Sequence, residues 1–72
     1  RPETHAIRKS GKRYYAFFAR QYQGSVELRG LQAQRYRVHD YEANRDLGVV
    51  TGPVAKLAVA FTRHLLIEAL PE

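Results

Sequence analysis

Apolar residues recur at every second position in short runs of this chain, and this alternation restricts its fold more than any other feature. In the run 56–61, for example, Leu57, Val59 and Phe61 alternate with lysine and alanine. A period of two is that of a β-strand with one face turned to a core. Glycine, proline, asparagine or aspartate stands between most runs, and these residues favour turns. The pattern therefore predicts a sheet of short antiparallel strands.

The runs predict about seven strands, at spacings near ten residues. They cover residues 5–8, 13–19, 25–28, 35–41, 46–50, 56–61 and 64–69. Such a layout in 72 residues indicates one all-β domain, a small antiparallel β-sandwich of Greek-key type. A helix over residues 55–70 is the alternative, because the alanines there favour it. The strict alternation of residues 56–61 favours strands.

Turn signals divide the strands. Ser10-Gly11 predicts a tight hairpin, because its glycine can adopt the positive φ that such turns need. Gly24 and Gly30 bound the third strand, Thr62-Arg63 predicts a short turn, and Pro71 ends the last strand.

The phases of the strands predict a core of Tyr15, Phe17, Val26, Leu28, Leu31, Tyr36, Val38, Leu47, Val49, Leu57, Val59, Phe61, Leu65 and Ile67.

Size and composition argue against an enzyme in this chain. A domain this small leaves little room for a recessed pocket beside its core. There is no cysteine, so disulfides and thiolate chemistry are excluded. No run of about 18 apolar residues could span a membrane, and we expect no membrane partner. Because the chain begins with Arg1 rather than methionine, we expect it to be part of a longer protein.

The formal net charge is +5, which permits contact with an anionic partner. The densest basic stretch, residues 8–13, contains the Ser10-Gly11 turn and indicates a solvated hairpin tip. Basic and aromatic residues also interleave in Arg13-Tyr14-Tyr15 and Arg35-Tyr36-Arg37, as on OB-like barrels that bind single-stranded nucleic acid. However, the core requires Tyr15 and Tyr36, so we expect no nucleic acid. Sugar binding by a carbohydrate-binding module is a further alternative and meets the same objection.

No catalytic, cofactor or metal site is predicted. The acidic candidates for paired-carboxylate chemistry fall in solvent-facing or turn positions, apart from Asp40, which shares the inward phase of its strand; these candidates are Glu27, Asp40, Glu42, Asp46 and Glu68. We expect Asp40 to accept hydrogen bonds from a neighbouring turn or an arginine. The histidines, at positions 5, 39 and 64, have no zinc-ligand spacing. The glycines are isolated, and neither serine has an adjacent base, so a phosphate loop and a nucleophilic triad are unsupported.

The strand 13–19 is apolar on both of its faces. Tyr15 and Phe17 point one way, while Tyr14 and Phe18 point the other. The last strand has the same character, with Leu66 opposite in phase to its core residues. One face of a small sheet normally meets water, so an apolar outer face predicts a cover. We identify Tyr14, Phe18 and Leu66 as the candidate interdomain face, with a cover by the chain's own loops as the alternative.

The residues also resemble a known family. The segments that carry the resemblance are Tyr14-Tyr15-Ala16-Phe17, Val26-Glu27-Leu28-Arg29-Gly30-Leu31, Tyr36-Arg37-Val38-His39-Asp40-Tyr41, Leu47-Gly48 and Leu65-Leu66-Ile67-Glu68. Together they look like the C-terminal β domain of bacterial α-galactosidases, the melibiase-type glycoside hydrolases. The chain departs from that pattern at Ala33-Gln34, where the family has Pro-Gly.

The resemblance implies an accessory role. In that family a (β/α)8 barrel carries the catalytic aspartates, and no position here matches their motifs. It implies that residues 1–72 form a non-catalytic C-terminal domain that packs on and stabilises the barrel of its parent chain, a retaining hydrolase. It also implies a bacterial and cytoplasmic setting, with carbohydrate as a possible further partner.

Overall fold

The computed structural model describes all residues from Arg1 to Glu72 and contains five β-strands. All five lie in one antiparallel sheet. They are β1 (Glu3–Lys9), β2 (Lys12–Leu28), β3 (Arg35–Asp40), β4 (Arg45–Thr51) and β5 (Ala55–Pro71). The all-β prediction is confirmed, and the alternative helix over residues 55–70 is excluded because β5 occupies that segment. The chain has no helix that could cross a membrane.

The strands are arranged in the order β1-β2-β5-β3-β4. The two central strands, β2 and β5, have 17 residues each and pair along almost their whole length. β1 covers only the first part of β2, and β3 covers only the last part of β5. Beyond those parts, β2 and β5 pair with each other alone. We call this two-stranded segment, residues 21–28 with residues 55–62, the arm.

A bulge in β2 turns the arm toward the rest of the sheet. Ala19 pairs with Arg63 and Gln21 pairs with Thr62, so Arg20 is the extra residue. A bulge bends its strand and shifts the side-chain phase by one position. Before the bulge the odd positions Tyr15 and Phe17 are buried, whereas after it the even positions are. Both halves of β2 therefore direct apolar side chains into one core.

The prediction of about seven strands was wrong. Segments 13–19 and 25–28 are two parts of β2, and segments 56–61 and 64–69 are two parts of β5. Gly24 does not break the strand, because it pairs with Val59 in the ladder. Arg63 adopts a φ of 74° without ending β5, because the β2 bulge lies opposite and absorbs the irregularity. The predicted Ser10-Gly11 hairpin is confirmed, with φ values of 54° and 77°.

The core matches the predicted one except in β4 and in the arm segment of β5. Its buried apolar members are Tyr15, Phe17, Val26, Leu28, Leu31, Tyr36, Val38, Val50, Ala55, Leu65, Ile67 and Ala69. The predicted Leu47, Leu57, Val59 and Phe61 are only partly buried against it. The prediction that Val49 belongs to the core was wrong, because Val50 is the buried residue and pairs with Tyr36. A bulge at Leu47 shifts the phase of β4, since Val38 pairs with Gly48 and His39 pairs with Asp46.

Candidate functional site: the outer face

The face of the sheet opposite the core carries the predicted interdomain residues. Directly paired residues of antiparallel strands point to the same side. Tyr14 pairs with Ile7 and Glu68, and Phe18 pairs with Glu3 and His64. Between these two rows, Ala16 pairs with His5 and Leu66. We call this surface of β1, β2 and β5 the outer face.

The structure brings Tyr14, Phe18 and Leu66 together on the outer face. Phe18 is 41% exposed, and the other two are half-buried. The edge of the His5 ring meets Phe18, with ring centroids 5.8 Å apart. The chain's own loops do not cover Phe18, and the face keeps an apolar centre open to solvent.

Two apolar residues of this surface were not predicted. Ile7 is 61% exposed and lies beside Tyr14, while Tyr41 is 45% exposed and packs edge-on against Tyr14 at 6.0 Å between centroids. Ile7 could have been found, since a two-residue turn at Ser10-Gly11 sets it opposite Tyr14. The sequence does not indicate that Tyr41 lies on this surface, because its position depends on the β3–β4 turn.

All three histidines lie at the outer face, and each contacts a glutamate. The contacts join His5 to Glu3 at 2.5 Å, His64 to Glu42 at 2.8 Å and His39 to Glu68 at 3.1 Å, all between a ring nitrogen and a carboxylate oxygen. They form no group of three metal-ligating side chains. The histidines and glutamates instead make a polar border for the apolar centre.

His39 has an oxygen partner at each ring nitrogen. Nδ1 faces the Glu68 carboxylate, and Nε2 lies 3.0 Å from Asn44 Oδ1. An imidazolium can donate to both oxygens at once, whereas a neutral ring can donate to only one. The hydrogen bond to Glu68, followed by that to Asn44, therefore raises the pKa of His39 above 6.5.

Asp40 has the structural role that the sequence predicts. It is buried, and its Oδ1 accepts hydrogen bonds from the backbone N–H groups of Glu42 at 3.1 Å and Ala43 at 2.9 Å. Arg45 approaches its other oxygen at 4.0 Å. The carboxylate thus holds the β3–β4 turn, from which Tyr41 and Glu42 reach the outer face.

The two tyrosines of the nucleic-acid hypothesis are fixed in the core. Tyr15 donates its hydroxyl to the carbonyl of Arg29 at 2.6 Å, and burial raises its pKa above 10.0. The Tyr36 hydroxyl accepts the backbone N–H of Gln32 at 2.9 Å. With exposures of 2% and 3%, neither ring can stack on a base.

A concave groove of about 700 Å³ lies on the other side of the sheet, between β1 and the arm. Tyr15 and Phe17 contribute to its floor, and Tyr22, Ser25 and Glu27 line the side formed by the arm. Tyr22 is held in place, since its hydroxyl donates to the carbonyl of Ser25 at 2.6 Å and its ring packs against Phe61. The sequence did not predict this groove, because it depends on the bend at Arg20.

No family model and no curated protein matches this chain.

Proposed function

We propose that this chain is the non-catalytic C-terminal domain of an α-galactosidase-like glycoside hydrolase, and that its outer face packs on the catalytic (β/α)8 barrel of the same parent chain. The observation that carries the proposal is the apolar centre of the outer face at Tyr14, Phe18 and Leu66. The identity of the parent rests on the sequence resemblance alone, as does a cytoplasmic setting in a bacterium.

An apolar outer face is unusual in a protein with a single sheet and needs a physical explanation. Antiparallel sheets with a solvated face normally place polar residues there. Here the two central strands place Phe18 and Leu66 there instead, and Ile7 extends the apolar surface onto β1. Interfaces between domains cover about 600–1,500 Å² and are more polar than obligate interfaces. An aromatic and aliphatic centre with a His–Glu border has that character.

The state of the carboxylates supports a non-catalytic role. Retaining glycoside hydrolysis needs two carboxyl groups about 5–5.5 Å apart across a bound sugar, one of them free to act as a nucleophile. Each of the seven aspartates and glutamates of this chain contacts an arginine or a histidine. None is held ready for attack on a substrate.

The bent sheet also suits an accessory sandwich domain. The arm supplies Val26, Leu28 and Ala55 to the same core as Phe17 and Ile67 from the other half of the sheet. Within this proposal, we regard the folded five-stranded sheet as the counterpart of the two-layered sandwich that the resemblance implies.

The test compares the 72-residue chain with the longer chain that carries the barrel. Phe18→Lys and Leu66→Lys should leave the isolated domain folded but lower the thermal stability and yield of the longer chain. Val54→Lys is the matched control, because Val54 is 46% exposed but lies in the β4–β5 connection. Equal losses in the isolated domain and the longer chain, or an equal effect of Val54→Lys, would contradict the proposal.

A carbohydrate-binding module is the second candidate, and the concave groove favours it. The groove places the half-buried ring of Tyr22 beside the polar groups of Ser25, Glu27 and Arg29, a mixture suited to a sugar. Titration of the ¹⁵N-labelled domain with galactose, melibiose and raffinose tests it. Saturable shifts confined to the groove would support this candidate, and their absence at millimolar sugar would reject it.

A further inference from the structure

The positive charge of the molecule is unevenly neutralised. All seven carboxylates are engaged by an arginine or a histidine, yet only Arg29, Arg35, Arg37 and Arg45 of the twelve lysines and arginines take part. Eight cations therefore have no ion pair. They are Arg1, Arg8, Lys9, Lys12, Arg13, Arg20, Lys56 and Arg63.

Half of these unpaired cations stand together at the end of the β1–β2 hairpin. Arg8 pairs with Arg13 across the two strands, and Lys9 pairs with Lys12. Like charges directly opposite each other destabilise a sheet. No carboxylate of the chain contacts any of the four, so the fold itself does not relieve the repulsion.

A small cleft adjoins this hairpin. It has a volume of about 270 Å³ and is lined by Arg8 and Arg13 of the hairpin and by Gln32 and Gln34 of the loop between β2 and β3. Tyr36 closes it from the core side, and no aspartate or glutamate is among its lining residues. The cleft therefore combines two arginines and two glutamines without a competing negative charge.

Two side chains of the cleft, those of Arg13 and Gln34, are held by the scaffold. Arg13 donates to the carbonyl of Gly30, which fixes its guanidinium at the cleft. The buried Tyr36 hydroxyl accepts hydrogen bonds from the backbone N–H of Gln32 and, at 3.2 Å, from the side-chain amide of Gln34. Because Arg13 and Gln34 are already positioned, they lose little freedom when an anion binds, which favours binding.

We propose that this cleft binds a small tetrahedral oxyanion: a phosphate group, either as the free ion or as the end of a small phosphate monoester. Guanidinium groups match phosphate oxygens through paired hydrogen bonds, and two of them neutralise a doubly charged group. The cleft is large enough for such a group and lies at the lower end of the size range of small-molecule pockets, which begins near about 300 Å³. The site lies apart from the outer face and from the concave groove.

The experiment titrates the ¹⁵N-labelled 72-residue chain with sodium phosphate at constant ionic strength, balanced with sodium chloride. We expect saturable shifts at the amides of Gly11, Gly30, Gln32 and Gln34. Arg8→Gln should weaken binding about tenfold, the effect of losing one charge-assisted hydrogen bond. Arg20→Gln is the matched control, because it removes an exposed, unpaired arginine outside the cleft. It should leave the affinity unchanged.

Thermal unfolding gives an independent readout. Without phosphate, Arg8→Gln should raise the midpoint of unfolding, because one like-charge pair is removed. With phosphate, the wild-type midpoint should rise by more than that of the variant, because the variant binds more weakly. A parallel titration with phenyl phosphate shows whether the cleft admits a monoester or only the free ion.

Four outcomes would overturn the proposal, three of which concern phosphate binding itself. These three are shifts that do not saturate, an equal weakening by Arg20→Gln, and equal binding of acetate and phosphate. Tight binding of a single-stranded oligonucleotide without binding of phosphate or phenyl phosphate would also overturn it, and would indicate an extended nucleic-acid surface instead.

Discussion

The hydroxyl of Tyr15 donates a hydrogen bond to the carbonyl of Arg29, so the first part of β2 contacts the residue that follows its last one. A straight strand would separate these two residues by about 3.3 Å per residue, or more than 40 Å. The contact exists only because the strand bends at Arg20. It therefore connects the two halves of the sheet.

Tyr15→Phe should destabilise the domain by about 1–3 kcal/mol, because it leaves the Arg29 carbonyl without its partner in a partly buried place. Urea unfolding followed by circular dichroism measures the change. Tyr14→Phe is the control: the Tyr14 hydroxyl has no hydrogen-bond partner in the structure, and its loss should change stability by less than about 0.5 kcal/mol. Equal effects of the two variants would contradict the role of this bond.

Deletion of Arg20 should prevent folding. Without the bulge, either Tyr15 and Phe17 or Val26 and Leu28 would point away from the core. Loss of burial costs about 1.5–3 kcal/mol for each such side chain. The loss of two therefore costs about 3–6 kcal/mol, which is as large as the whole stability expected for a domain this small. Arg20→Ala keeps the backbone length and should fold normally. Amide NMR spectra of both variants show whether each one folds. A native spectrum for the deletion variant would contradict the role that we assign to the bulge.

Asp40→Ala should cost about 1–3 kcal/mol, because the N–H groups of Glu42 and Ala43 lose their acceptor. Asp40→Asn should restore most of that stability, since the amide oxygen can accept the same two bonds. Denaturant unfolding of both variants provides the measurement. If the asparagine variant is as unstable as the alanine variant, the contact with Arg45 and not the turn is the important one.

His39 should make the stability depend on pH. Its pKa is raised in the folded state by Glu68 and Asn44. The stability that it contributes is therefore fully present below its ordinary pKa of 6.5, and it is lost as the pH rises through the folded value. NMR titration of the His39 ring, together with thermal unfolding on both sides of that range, measures both effects. Glu68→Gln should move the pKa of His39 back toward 6.5 and flatten the pH dependence; an unmoved pKa would contradict the assignment.

The sequence predicted the features that depend on neighbouring residues. Ser10-Gly11 contains its own turn geometry, and the alternation of Tyr36, Val38 and Asp40 places all three inward without knowledge of a partner strand. The outer-face residues Tyr14, Phe18 and Leu66 followed from the same alternation.

The errors arose where a distant strand decides the local structure. Gly24 resembles a strand end, but its partner Val59 keeps it in the ladder. Thr62-Arg63 resembles a turn, but the bulge at Arg20 accommodates it. Val49 was assigned to the core because Leu47 gives no local sign of a bulge. The concave groove and the cleft beside Arg8 follow from the bend and from loop packing, which alternation cannot reveal.

The long strand β2 is anchored at both of its ends rather than at its centre. Phe17 on one side of the bulge and Leu28 at the far end are almost fully buried, whereas the middle residues 21–25 are exposed or half-buried and pair only with β5. Local opening begins where few apolar contacts and few strand partners protect the backbone. Amide hydrogen exchange should therefore be faster in the middle of β2 than toward its two ends, the reverse of the fraying expected for an ordinary strand. The bend would then act as a flexible joint, through which the arm could change the width of the concave groove while the core stays intact.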